Sequence, residues 1–255
     1  MKLAIMQPYF FPYLGYYQAV AAVDKYVLYD NLSYIKGGWL NRNRLLAVHG
    51  EPFYLIVPVK DKSSFRKINE VELVDNQPWR RKLLKDIFFN YKRAPFFEEV
   101  YPVIERVINS DVKLLTQLNA SSIIDISKYL DIQTEITTDT RKYIGLEEKL
   151  VSDESNFAER FSSLKLRKPE KKVRRVVEIC HTEGAEILIN AIGGQALYDK
   201  AEFARNNIQL FFVQTGEYSY QQSTEQFHAD LSIIDVLMNC GKERTKELLK
   251  QYTLI

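Results

Sequence analysis

The sequence predicts an α/β protein built on a mostly parallel, Rossmann-like sheet flanked by helices, with an inserted β-hairpin and helical segments. Two observations carry that reading. Short apolar runs that stop at proline, glycine or asparagine alternate with stretches of helical spacing along all 255 residues. The N-terminal residues also read as strand, helix, strand, a unit that requires a parallel pair joined by a right-handed crossover.

Taken in order, Leu3-Ala4-Ile5-Met6 is an apolar run halted by Gln7-Pro8, as expected of a buried strand that ends in a loop. The stiff loop Pro8 to Pro12 leads into helical spacing from Leu14 to Val23, and Tyr26 to Tyr29 forms the next strand. Gly37-Gly38 then breaks the chain. The runs Trp39 to Ala47 and Phe53 to Val59, separated by His49-Gly50-Glu51-Pro52, predict the hairpin. Pro78 suits the start of a helix reaching Tyr91, and helices are expected from Phe96 to Ile108 and Val112 to Leu130, so residues 78–130 form a helical insertion. Thr134 to Thr138 is a short strand, and residues 142–171 are charged and irregular, as in a flexible flap. A second strand–helix rhythm follows: helix Val173 to Thr182, strand Glu186 to Ile189, helix Ala196 to Arg205 and strand Ile208 to Val213. Two helices, Ser232 to Asn239 and Lys242 to Tyr252, close the chain. No composition break divides residues 1–255, which predicts a single domain.

Composition narrows the function. With 46% hydrophobic and 27% charged residues the chain has ample material for a core. A net charge of +2 gives no global field to attract nucleic acid, and no apolar run reaches membrane-spanning length. The two cysteines are too few for a disulfide scaffold, so a cytoplasmic protein without a membrane span or nucleic-acid partner is expected. His49, His181 and His228 are widely separated and predict no metal site. The phosphate-binding glycine motifs and the serine elbow of common hydrolases are missing from the sequence.

The loop after the first strand is the most informative segment, because ligands of open α/β sheets bind outside the strands' carboxyl ends. Gln7, Tyr9, Tyr13 and Tyr16 have polar tips suited to that crevice, whereas Phe10, Phe11 and Leu14 suit the core. Around the first run of the hairpin, Lys36 and Arg42 supply a point charge and a fork for phosphate or carboxylate. Strand alternation would put Trp39, Asn41 and Asn43 on one face and Arg42 with Arg44 on the other. Lys92 ends the helix that begins at Pro78. Asn190 with Gly193-Gly194 resembles an anion-binding turn, and Tyr220 with Gln222 follows the last predicted strand. Asp235, in an apolar helix, is a buried acid in need of partners.

The stretch Met6 to Tyr17, with Trp39-Leu40-Asn41-Arg42-Asn43, Asn90-Tyr91-Lys92 and Leu231 to Asp235, resembles the WbqC-like family, which is encoded among bacterial O-antigen and surface-polysaccharide genes. The resemblance spans nearly the whole chain. Family members often carry histidine where this chain has Met6 and tryptophan where it has Tyr13. The strand–loop–helix opening is also similar in outline to nucleotidyltransferase (HUP-like) domains, with Tyr13-Leu14-Gly15-Tyr16 in place of their His-x-Gly-His. Together the resemblances imply an enzyme of polysaccharide biosynthesis that transfers or ligates an acyl or aminoacyl group onto an amino sugar. ATP or a nucleotide-sugar would be the co-substrate, and Lys36, Arg42 and Lys92 the charged catalytic groups. The alternative they imply is a non-catalytic sugar-nucleotide or glycan-binding accessory protein.

Overall fold

A computed structural model describes residues 1–75, 78–146, 148–150 and 168–255, with the side chains of 168–170 left aside. A six-stranded sheet runs in the order β5-β2-β1-β6-β7-β8. Its strands are β1 (Lys2–Met6), β2 (Lys25–Leu28), β5 (Glu135–Thr137), β6 (Ile187–Ala191), β7 (Gln209–Thr215) and β8 (Tyr252–Leu254). The first five are parallel, and β8 joins antiparallel to β7 through Val213↔Leu254. This is the predicted α/β sheet with one added edge. The expected helix from Lys242 to Tyr252 stops at Leu248, and its last expected residue, Tyr252, begins β8 instead.

Alternation along the strands sends side chains to two cores. Leu3, Val27, Leu188, Leu210 and Phe212 pack under α5 (Lys168–Glu183) and α6 (Lys200–Ala204), against Val173, Val177 and Phe203. Ala4, Tyr26, Leu28, Ile189 and Val213 face the other way, onto α1 (Leu14–Ala21) and α4 (Leu115–Tyr129). Burying each large apolar side chain contributes about 1.5–3 kcal/mol, so these layers, not intrinsic propensity, hold so short a helix as α1.

The stretch expected to be helical between 78 and 130 forms α2 (Trp79–Tyr91), α3 (Phe97–Ile108) and α4. With α7 (Ile233–Leu248) and the hairpin β3 (Arg42–Leu46) and β4 (Pro52–Ile56) they enclose a third core. The hairpin is a sheet of its own, shorter than the sequence suggests. Within α7, Gly241 has φ 66°, a break between two helical stretches where a Cβ would come within 2.5 Å of the Phe96 ring. The segment expected to be irregular over 142–171 is helical at its described ends, with a turn at Arg141–Tyr143 and α5 beginning at Lys168. Residues 151–167 of that expected flap lie outside the described residues.

Candidate functional site: a crevice at the switch point of the sheet

β1 sits between β2 and β6, so the connections that leave it and enter β6 lie on opposite sides, and the strand ends gape there. Two adjoining cavities occupy this place, of about 390 Å³ and about 640 Å³. Both are lined by Met6, Tyr9, Ala191 and Gly193. The smaller adds Gln7, Asn190, Gly194, Tyr198 and, from α5, Lys172 and Arg175. The larger adds Tyr13, Trp39, Asn43, Arg44, Thr215 and Asp230.

The loop that separates β1 from α1 is fixed by side chains from distant parts of the chain. Asn119 Nδ2 donates to the Pro8 carbonyl at 2.8 Å, and the Phe11 N–H donates to Ser122 Oγ at 3.3 Å. Asn43 Nδ2 bonds the carbonyls of Phe10 and Phe11 at 3.0 and 2.7 Å, and Ser232 Oγ adds a second donor to Phe11 at 2.7 Å. These bonds hold Phe11 at φ 40°, a left-handed conformation uncommon for a side chain of that bulk. Gly15 is required for a different reason: a Cβ there would lie 2.6 Å from Tyr13 Cε2 and 2.8 Å from Thr215 Oγ1. Its absence lets α1 and the Tyr13 ring close onto the end of β7. At the opposite wall a Cβ on Gly194 would meet the Asn190 amide and the Phe212 ring at 3.2 Å, whereas one on Gly193 would meet nothing.

Aromatic rings and arginines make up the hairpin side. Arg42 and Arg44 lie 5.9 and 5.7 Å from the Trp39 ring centroid, and Arg42 also lies 4.7 Å from that of Tyr54. Trp39 therefore shares the arginines' side rather than that of Asn41 and Asn43. The expected alternation fails because β3 begins only at Arg42, leaving Trp39 in a bend. Arg44 Nη2 donates to the Asp230 carbonyl at 3.4 Å, and the Nε atoms of both arginines are buried with no partner among the described residues. Burial raises the Tyr9 hydroxyl above its usual range; burial first, and then the Asp230 carboxylate, push Tyr13 up to about 12. Both remain neutral hydrogen-bond donors across the physiological range. The side-chain amide of Gln7 has no hydrogen-bond partner among the described residues.

The crevice thus brings together Gln7, Tyr9, Tyr13, Trp39, Asn43, Asn190, Gly193 and Gly194. Other candidates lie elsewhere. Tyr16 is fully buried and spends its hydroxyl on the Gln7 carbonyl at 2.9 Å, which fixes the loop from beneath. Asn41 is buried and engaged, accepting from the Tyr34 hydroxyl at 2.9 Å and donating to the Val57 carbonyl at 2.8 Å. Arg42 bonds the Gly37 carbonyl and stacks outside the cavity lining. Lys36 is exposed in the loop before Trp39, and Lys92 is exposed at the end of α2, 5.8 Å from the Phe88 ring centroid. Tyr220 and Gln222 border a separate hollow of about 440 Å³ and bond Asp235 at 2.7 and 3.2 Å. Met6, Arg44, Thr215 and Asp230 line the crevice although sequence reasoning did not place them there. Asp230 sits at φ 57°, directly before the Leu231-Ser232 start of α7, a turn whose direction no pattern of residues reveals.

Both cysteines are buried, and burial pushes their thiols up, to about 12 for Cys180 and about 11 for Cys240, which leaves neither as a ready nucleophile. Among the described residues no group of three or more histidine, cysteine or acidic side chains is placed to hold a metal ion, and no helix is long and apolar enough to cross a membrane.

The chain is 25% identical over 244 residues to the "Uncharacterized protein Rv1507c" of Mycobacterium tuberculosis, an alignment that covers 95% of each chain. No solved structure matches. Residues 7–247, from the crevice glutamine to the last turns of α7, match the WbqC-like protein family, and the chain belongs to that family.

Proposed function

We propose that this protein is an enzyme of bacterial surface-polysaccharide assembly that binds a nucleotide-sugar, or ATP with an amino sugar, in the switch-point crevice. There it transfers or ligates an acyl or aminoacyl group to the sugar. The observation that carries the reading is the pair of cavities joined at Met6, Tyr9, Ala191 and Gly193, which suits a ligand with two unlike halves. The setting in polysaccharide assembly rests on the family resemblance.

The residues present fit such a ligand. The open space beside Gly193 would admit a phosphate close to the backbone, and the Arg44 guanidinium, whose Nη2 makes one 3.4 Å bond to the Asp230 carbonyl, is a charged donor on the wall of the larger cavity. Tyr9 and Trp39 offer ring faces to a sugar, while Gln7 and the free end of the Asn190 amide would orient hydroxyls. Lys172 and Arg175 add positive charge at the rim of the smaller cavity. Bound ATP would activate the carboxylic acid and depart as ADP with phosphate, or AMP with diphosphate, as the sugar amine or hydroxyl takes the acyl group, whereas the nucleotide of a nucleotide-sugar would stay on the acceptor as an anchor; the protein's own part is to align the reactants.

A non-catalytic sugar-nucleotide-binding accessory role is favoured by one observation: among the described residues, the lining side chains include no histidine or cysteine. Calorimetric titration with ATP and with nucleotide-linked amino sugars, followed by mass analysis of mixtures containing a carboxylic acid, separates the two. A new amide or ester product supports the enzyme, and tight binding with unchanged reactants supports the accessory role. Absence of binding to every nucleotide and nucleotide-sugar overturns both.

A further inference from the structure

The solvent face of α2 carries chemistry that the crevice does not use. Between positions 79 and 93 the chain has six basic side chains and one acid. Arg81, Lys82, Lys85, Phe88, Phe89 and Lys92 recur at helical steps and form one stripe, all of it exposed. The opposite stripe, Trp79, Leu83, Leu84, Ile87 and Tyr91, is buried in the helical core. Phe89 is 63% exposed, and Phe88, although it packs edge-on against Phe97 and Tyr101, keeps 46% of its surface open, so the two rings form an exposed apolar patch amid cations.

The patch extends past the helix. Val48, 55% exposed at the hairpin turn, is tied by its N–H to Asn90 Oδ1 at 3.0 Å, beside Phe89. Arg81, Lys82 and Lys85 form no ion pair among the described residues. Because the whole chain carries only +2, attraction to an anionic partner would be local to this face.

We propose that this stripe docks the protein on an anionic lipid bilayer. Phe88 and Phe89 enter the boundary between headgroups and acyl chains, and Arg81, Lys82, Lys85 and Lys92 lie against lipid phosphates. Exposed rings flanked by cations on one helix match that interface, where apolar and charged groups are satisfied at one depth. The proposal stands independently of what the crevice binds.

Flotation of the full chain with vesicles tests it. Vesicles of phosphatidylcholine mixed with phosphatidylglycerol should carry the protein upward, and vesicles of phosphatidylcholine alone should not. Arg81→Gln/Lys82→Gln/Lys85→Gln should weaken the binding roughly a hundredfold, and Phe88→Ser/Phe89→Ser should weaken it without changing the salt dependence. A variant with the same charge loss elsewhere, Lys2→Gln/Lys200→Gln/Lys250→Gln, should bind as the parent does, and circular dichroism melting should show every variant folded. The proposal is overturned by failure to float on the mixed vesicles, by equal losses in the control variant, or by tighter binding to single-stranded RNA than to vesicles.

Discussion

The Asp235 carboxylate accepts the Tyr220 hydroxyl at 2.7 Å and the Tyr91 hydroxyl at 2.6 Å, so one fully buried acid ties α2, α7 and the chain after β7 together. Tyr91 in turn accepts the Leu46 N–H at 2.9 Å, which brings the hairpin into the same network. Asp235 thereby acts at a distance from the crevice: it anchors the segment whose far end, Asp230, forms part of the cavity wall. Replacing it with alanine would strand two buried hydroxyls. Asp235→Ala should cost about 3 kcal/mol of stability, read by denaturant unfolding.

The same network sets a pH signature. Burial, outweighing the hydrogen bonds from Tyr91, Tyr220 and Gln222, raises the Asp235 carboxyl above its ordinary value. A raised acid binds its proton more tightly folded than unfolded, so its contribution is complete below the unfolded value of about 4 and is lost as pH rises through the folded one. Asp235→Asn cannot ionise and does not follow that loss. The melting temperature of Asp235→Asn should therefore gain on the parent as pH rises from below about 4 toward neutral. If instead the parent gains on the variant over this range, its carboxylate is ionised and held by its donors.

Gly15 offers a test of how the crevice wall is built. A methyl group there overlaps the Tyr13 ring and Thr215 Oγ1, both of which line the larger cavity. Gly15→Ala should lower stability by about 1–3 kcal/mol through overpacking, and should also weaken nucleotide-sugar binding because the Tyr13 ring must swing away. Gly193→Ala, with open space around its Cβ, should leave stability nearly unchanged.

These residues also show what the sequence makes legible. The parallel sheet could be read because short continuous apolar runs stopped by proline, glycine or asparagine are local signals. β8 could not: Tyr252-Thr253-Leu254 is short and half-exposed, and becomes a strand only through pairing with β7. Basic residues were harder still. Charge type identifies Lys36, Arg42 and Lys92 as candidates and passes over Arg44, because direction depends on where β3 begins and where α2 ends, and tertiary packing decides both. Asn43, expected among the ligand contacts, lines the larger cavity yet works largely on backbone, gripping Phe10 and Phe11.

Asn43 illustrates a positioning role that can be separated from ligand contact. Its amide donates to two carbonyls of the loop over the cavity and accepts the Arg44 N–H at 2.8 Å, all while 4% exposed. Asn43→Ala leaves those carbonyls short of a donor and frees the strained Phe11. A stability loss of about 2–3 kcal/mol is expected, with near-neutral melting behaviour not recovered by ligand.

Arg44 should behave in the opposite way, and the contrast with Lys92 tests the location of the site. Its guanidinium lies on the cavity wall, with one weak bond to the Asp230 carbonyl and no partner for its Nε among the described residues. Removing it forfeits little folded-state bonding but takes away the fork available to an anionic ligand in that cavity. Arg44→Ala should weaken nucleotide or nucleotide-sugar binding by roughly tenfold or more, the worth of one charge-assisted bond, with a melting temperature close to the parent's. Lys92→Ala and Lys36→Ala, exposed on α2 and in the loop before Trp39, should leave the same titration unchanged. Should Lys92→Ala abolish binding while Arg44→Ala does not, the ligand occupies a surface near α2 and the switch-point crevice is not its seat.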